Sequence, residues 1–145
     1  MTTEPVPMTE ESAAISAVRN YLDSFNEGDA IAMDALCAVP MSILDGLAPH
    51  AWNGPTASAD WYKDGMIAGE QKGATDYFVE VGEPRHLNVT GDNAYVVVPT
   101  TLSFKVHGQL ITHSGATFTA ALRKLDDGWR LAAWAWTKGA APPSA

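Results

Sequence analysis

The sequence predicts an α+β fold, with three helices in its first half and a meander of antiparallel strands in its second half. Apolar residues recur at helical spacing between residues 14 and 36, and a weaker helical pattern covers residues 57–72. Later stretches are typical of strands and are separated by turn sequences such as Gly91-Asp92-Asn93. A strongly curved sheet wrapped around a helix would enclose a cone-shaped interior.

Two short helices are predicted at the start of the chain. Thr9 supplies a hydroxyl N-cap and is followed by acidic residues, which favour a helix N-terminus. Gly28 ends this helix, and Asp29 can cap a second helix over about residues 30–38, which stops before Pro40. The apolar positions of the first helix are Ala14, Ile15, Val18, Tyr21, Leu22 and Phe25.

The rest of the chain predicts one short strand, one helix and a run of long strands. Residues 41–46 alternate like a strand, and a turn-rich stretch follows them. Residues 57–72 predict the third helix, which Gly65 and Gly69 weaken. We expect a bend near residues 82–84, at Gly-Glu-Pro. The predicted long strands cover residues 76–90, 93–107, 109–125 and 128–138.

Length and charge limit the classes of partner. With 145 residues we expect one domain over 9–138, with flexible tails at 1–8 and 139–145. Nine Lys and Arg against seventeen Asp and Glu give a net charge of −8, which disfavours nucleic acid as a partner. No apolar run approaches the roughly 20 residues of a membrane helix, so no membrane association is predicted. The absence of a signal-peptide pattern and the single cysteine favour the cytoplasm.

No sequence motif indicates a bound metal or cofactor. The four histidines lack metal-ligand spacing, and Cys37 stands alone on a short helix, so no zinc site is predicted. Nucleotide-binding glycine motifs are also missing. Five tryptophans in so short a chain instead suggest an aromatic-lined cavity, an oligomer interface or both.

Two stretches resemble a known superfamily. "AVRNYLDSFNEGDAIAMDAL" (17–36) is similar to the opening helix of nuclear-transport-factor-2-like (NTF2-like) proteins, and "RKLDDGWRLAAWAWTKG" (123–139) is similar to their closing hairpin. More narrowly, the chain resembles the SnoaL-like and ketosteroid-isomerase-like proteins. The resemblance implies a cone-shaped fold with three helices on a curved, mixed, mainly antiparallel sheet. It also implies an apolar pocket for a small hydrophobic ligand and a homodimer through the outer face of the sheet.

The resemblance also implies an acid–base pair. Tyr21 matches the tyrosine that donates a hydrogen bond in ketosteroid isomerases, and Asp45 matches their general base. The isomerases carry a second, protonated aspartate on a late strand, where this chain has Thr119 or Ala120. Thr119 is therefore the candidate replacement for this aspartate. Against these roles, Asp45-Gly46 is also ordinary turn chemistry, and Tyr21 could be a core residue.

Several further residues are candidates for the pocket. Trp134 and Trp136 share one face of the last strand, and Trp61 lies on the third helix, so each could form a pocket wall or pack in the core. His86 and His113 could assist Asp45 in a dehydratase, because the pKa of histidine lies near neutral pH.

The predicted function is acid–base chemistry without a cofactor on a hydrophobic carbonyl compound. Isomerisation, cyclisation and dehydration all remain open. The alternatives are a non-catalytic ligand-binding or accessory module with the same fold, and a structural dimer whose pocket is filled by its own side chains.

Overall fold

The computed structural model describes residues 9–140, which form three helices and seven strands. The predicted α+β class is confirmed. The predicted tail at residues 1–8 and residues 141–145 of the other tail lie outside the described residues. In chain order the elements are α1 (Glu10–Asn26), α2 (Ala30–Ala35), β1 (Cys37–Leu44), β2 (Ala51–Gly54), α3 (Ala57–Gln71), β3 (Ala74–Val81), β4 (His86–Thr90), β5 (Asn93–Val106), β6 (Gln109–Leu125) and β7 (Gly128–Thr137).

The first two helices begin at the predicted caps. The Thr9 side chain accepts a hydrogen bond from the Ser12 amide at 3.0 Å, and the Asp29 side chain accepts one from the Ala32 amide at 3.0 Å. Between the helices, Gly28 has a φ of +72°, which glycine adopts at little cost. Helix α2 is shorter than the predicted 30–38, because β1 already begins at Cys37 and pairs there with β7.

Strand β2 was not predicted from the turn-rich stretch. It pairs antiparallel with β1, and Trp52 lies opposite Ile43. Burial of Trp52 at 6 % exposure stabilises this short strand, and its Nε1 donates to Asp64 Oδ2 of α3 at 2.8 Å. A four-residue strand between prolines and glycines carries too little local pattern to be recognised in the sequence.

The predicted strand over 76–90 is two strands. Both pair antiparallel with β5: β4 pairs with its first part, Asn93–Val97, and β3 with its later part, Thr100–Val106. The chain bends between them at residues 82–85, where a bend was expected. Gly82 fits there because a Cβ atom would lie 2.9 Å from the Pro99 ring.

The sheet is curved, open and mixed. Its order is β2-β1-β7-β6-β5-β3, and the β1–β7 pair is parallel while the other pairs are antiparallel. The helices pack on the inner face, where Val96, Phe118 and Leu131 are at most 1 % exposed. Phe78 and Tyr95 are 53 % and 47 % exposed and occupy strand positions next to buried residues, so they face outward.

Part of the predicted C-terminal tail is attached to the sheet. Ala140 exchanges two backbone hydrogen bonds with Ser114, at 3.0 and 3.1 Å, so the ordered chain extends beyond residue 138. Gly139 is required for this approach, because a Cβ atom there would overlap the Ser114 backbone. None of the helices within residues 9–140 combines the length and the apolar character that crossing a membrane requires.

Candidate active site

A cavity of about 370 Å³ lies between the helices and the inner face of the sheet. This volume is within the range of roughly 300–1,000 Å³ that is typical of small-molecule sites. Most of its lining is apolar or aromatic, and Tyr21, Asp45, Trp61, His113 and Trp136 all contribute. The cavity therefore brings together five of the seven site residues proposed from the sequence.

Asp45 follows the last residue of β1 and is half-buried on the cavity wall. Its Oδ1 accepts a hydrogen bond from the Gly46 amide at 2.7 Å, and its Oδ2 accepts one from Trp61 Nε1 at 2.8 Å. Its backbone amide donates to the His50 carbonyl at 3.1 Å, which closes the turn. Asp45 is thus a turn residue and a cavity residue together. Its carboxylate is held in one orientation and keeps unused lone pairs for a ligand.

Trp61 is fixed by aromatic packing as well as by its bond to Asp45. Its ring meets Trp134 edge-on, with the centroids 4.8 Å apart, and lies 5.9 Å from the ring of Phe25. A second tryptophan–aspartate pair with the same bond length, Trp52 and Asp64, lies close by in sequence, but neither residue lines the cavity. This second pair provides a matched control for the first.

Tyr21 reaches the cavity from α1 and is 1 % exposed. Its hydroxyl accepts a hydrogen bond from Trp134 Nε1 at 3.0 Å and shares another, 2.7 Å long, with Ser58 Oγ. Burial is the main cause that raises the pKa of Tyr21 above its ordinary value, so the hydroxyl keeps its proton at neutral pH. If Ser58 donates, the Tyr21 proton remains available to a ligand oxygen.

Replacing Tyr21 with Phe is expected to lower the free energy of unfolding by about 1–3 kcal/mol, because Ser58 and Trp134 lose a buried partner. The raised pKa of Tyr21 adds a dependence on pH. An un-ionised hydroxyl favours the folded state below about pH 10, and that contribution is lost as the pH rises through the folded-state pKa.

Urea unfolding at pH 7 and between about pH 10 and 11 measures both effects. The wild type should lose stability over the alkaline range faster than Tyr21→Phe, so the difference between them should shrink. A difference that stays constant with pH would contradict the burial of this hydroxyl as the cause.

Part of the cavity wall is formed by aromatic rings from three strands. Tyr77 and Phe104 stack with their centroids 5.4 Å apart, and Phe104 meets His113 edge-on at 5.4 Å. All three residues line the cavity, and burial raises the pKa of Tyr77. This aromatic wall presents a row of rings to the cavity.

Thr119 and His86 do not contribute to this cavity, which corrects two expectations. Thr119 lies between Phe118 and Ala120, whose side chains are buried on the inner face, so it points to the outer face. His86 is exposed on β4, opposite Val97. It therefore cannot act together with His113, which pairs with Leu102 much further along β5.

The sequence interpretation missed Ser58, Lys72 and Lys138. Ser58 is buried at the start of α3 and bonds Tyr21, but a single serine in a helix carries no sequence signal. Lys72 follows α3 and lines the cavity. Lys138 also lines it, and a signal existed, because Lys138 continues the alternation of Trp134 and Trp136.

Cys37 is buried near Tyr21 and Ser58, and its thiol donates to the Met33 carbonyl at 3.4 Å. Burial is the main cause that raises the pKa of Cys37 to about 12, so the thiol stays protonated and unreactive at neutral pH. Residues 9–140 contain no group of three or more His, Cys, Asp or Glu side chains arranged to hold a metal ion.

The comparison with protein families identifies the chain. The profile of the SnoaL-like domain matches residues 15–135. The chain belongs to the SnoaL-like domain family. The resemblance seen in the sequence is therefore confirmed, and the family accounts for nearly all of the described residues. A comparison with curated proteins finds no match.

Solved structures similar to this SnoaL-like domain share the NTF2-like fold. A ketosteroid isomerase-like protein from Erwinia carotovora atroseptica is 22 % identical, with a TM-score of 0.70, over 89 % of this chain and 95 % of that one. An NTF2-like superfamily protein from Salmonella enterica is 17 % identical, with a TM-score of 0.73, over 90 % and 92 %. A hexachlorocyclohexane dehydrochlorinase from Novosphingobium barchaimii is 13 % identical, with a TM-score of 0.73, over 94 % and 93 %. At these identities the likeness shows the fold alone.

Proposed function

We propose that this SnoaL-like protein is an enzyme that binds a small, flat carbonyl compound in the cavity. Asp45 takes a proton from the carbon next to the carbonyl group, and the electron pair of that bond moves towards the carbonyl oxygen. In an isomerisation the proton then returns to another carbon. The first step, removal of the proton, needs no metal or cofactor, and isomerisation, aldol-type cyclisation and dehydration share it.

The observation that carries the proposal is the position of the Asp45 carboxylate. It lies on the wall of a largely apolar cavity, and Trp61 Nε1 orients Oδ2 at 2.8 Å. A base must be held within reach of the proton it takes, and an oriented carboxylate next to an apolar space satisfies this requirement.

Tyr21, which reaches the cavity from α1, supports the same chemistry. Its hydroxyl accepts from Trp134 and bonds to Ser58, and it keeps its proton at neutral pH. With Ser58 as donor, the Tyr21 proton can stabilise the oxygen that gains negative charge when Asp45 removes the proton. Trp61 and Trp136 would form walls on either side of the substrate.

The experiment that tests this proposal measures deuterium uptake. The protein is incubated in D2O with 2-tetralone and with 1-indanone, and loss of the signals of the protons next to the carbonyl is followed by ¹H NMR. Exchange at least about tenfold faster than in buffer alone is expected for one of the two probes, since positioned bases accelerate proton transfer by roughly 10²–10⁴. Binding of both ketones without exchange above the rate seen in buffer would contradict the proposal.

A second candidate function is a binding module without catalysis. One observation favours it: Thr119 faces outward, so the described residues supply no second acid in the position where the isomerases carry one. This alternative predicts that the ketones bind and change tryptophan fluorescence, while their protons exchange only at the rate seen in buffer.

A further inference from the structure

The net charge of the cavity lining is opposite in sign to the net charge of the whole chain. The protein carries a net charge of −8, yet two lysines, Lys72 and Lys138, line the cavity, and Asp45 is its only carboxylate among the described residues. Two lysines and one aspartate give the lining a formal charge of +1.

The two lysines and His113 come from three different parts of the chain. Lys72 follows α3 and precedes β3, whose first residue, Ala74, pairs with the last residue of β5. Lys138 follows β7, and the bridge between Ala140 and Ser114 places it next to the part of β6 that carries His113. Lys72 and Lys138 therefore line the cavity at two separate places.

The two lysines have no internal counter-charge. Within residues 9–140 the ion pairs join Arg19 to Glu83, Lys124 to Glu10 and Arg130 to Asp127. No carboxylate of this part of the chain lies within 4.0 Å of the Lys72 or Lys138 ammonium group. Both residues are exposed and line the cavity, so their charges can meet a ligand without a competing partner.

We infer that the natural ligand is a flat, ring-containing monoanion, with its ring against the aromatic wall and its carboxylate attracted by the charges of Lys72 and Lys138. The row of Tyr77, Phe104 and His113 favours a ring system, and one excess positive charge matches one negative charge. A dianion would face the Asp45 carboxylate without full compensation. The inference rests on the proposed function, because it names the substrate class for the same cavity.

Paired probes of equal shape test the inference. Isothermal titration calorimetry at pH 8 compares 2-naphthoate with 2-naphthamide, which differ in charge but hardly in size. In dilute buffer the carboxylate is expected to bind about tenfold more tightly, since each exposed ion pair contributes about two- to fivefold. In 1 M NaCl this preference should largely disappear, because the Debye length falls to about 3 Å.

Substitutions locate the preference. Lys72→Gln and Lys138→Gln should each weaken naphthoate binding about two- to fivefold, and the double variant should bind both probes equally. Lys105→Gln is the matched control, because Lys105 is exposed on β5 but does not line the cavity. It removes the same charge from the protein and should leave the preference unchanged.

The outcomes separate this inference from the proposed function. Equal binding of the two probes to the wild type, or an equal effect of Lys105→Gln, overturns the anionic ligand and leaves the proton transfer untouched. Failure of both probes to bind overturns the ring-containing ligand. A carboxylate preference that depends on Lys72 and Lys138, found together with no deuterium exchange, supports the inference and refutes the catalytic proposal.

Discussion

Replacing Asp45 with Asn should lower the rate of deuterium exchange to that of buffer alone, because the amide keeps the shape of the side chain but cannot take a proton. The oxygen of the new amide side chain can still accept a hydrogen bond from Trp61 or Gly46, so the turn after β1 is preserved. We expect the free energy of unfolding to change by less than about 1 kcal/mol. Exchange rates by ¹H NMR and urea unfolding of the same preparation measure both quantities.

The control for this variant is Asp64→Asn. Asp64 accepts a hydrogen bond from Trp52 at 2.8 Å, the same length as the bond from Trp61 to Asp45, but it does not line the cavity. Both variants therefore lose one carboxylate that is bonded to an indole, but only Asp45→Asn removes the proposed base. Full exchange in Asp45→Asn would refute the assignment, and an equal loss in both variants would indicate a structural cause.

Replacing Trp134 with Ala should lower the free energy of unfolding by about 3–5 kcal/mol, the largest effect on stability that we expect. Trp134 is 4 % exposed, and its ring lies 5.2 Å from the ring of Phe118 and 4.8 Å from that of Trp61. The variant loses these contacts and also removes the donor to the Tyr21 hydroxyl. Urea unfolding followed by far-UV circular dichroism measures the change.

Trp136→Ala is the companion variant. Trp136 lies on the same face of β7 but is only half-buried, so its removal should cost clearly less stability than the removal of Trp134. It should instead weaken the binding of naphthalene probes, because it takes away part of the cavity wall. A loss of stability as large as that of Trp134→Ala would show that Trp136 belongs to the core rather than to the ligand site.

Tyr21, Trp134 and Ser58 show how stability and the candidate chemistry are linked. These side chains join α1, β7 and α3 through two hydrogen bonds inside an apolar core. Both bonds must be present for the core to avoid unsatisfied polar groups. The same bonds orient the Tyr21 hydroxyl, so the groups that hold the helices on the sheet also position the candidate acid.

Local sequence patterns were sufficient to predict the helix starts and most of the strands. Thr9 and Asp29 cap their helices with bonds to residues three positions later, and a contact of that kind depends on a few neighbouring side chains. The meander could be predicted for a similar reason, because turn residues such as Gly91 and Gly128 adopt positive φ between alternating stretches. The resemblance to NTF2-like proteins predicted the fold. It also predicted that Tyr21 and Asp45 face one pocket, and both residues line the cavity.

By itself the sequence determined the helix caps, the turns and the alternation of most strands, because each depends on a few consecutive residues. Only the tertiary structure decided that β2 pairs with β1, that Thr119 faces outward and that His86 is remote from His113. It also decided that Ser58 bonds to Tyr21 and that Lys72 and Lys138 border one cavity. All of these features depend on residues that are far apart in the chain. The curvature and register of the sheet set them, and no local pattern of residues encodes either property.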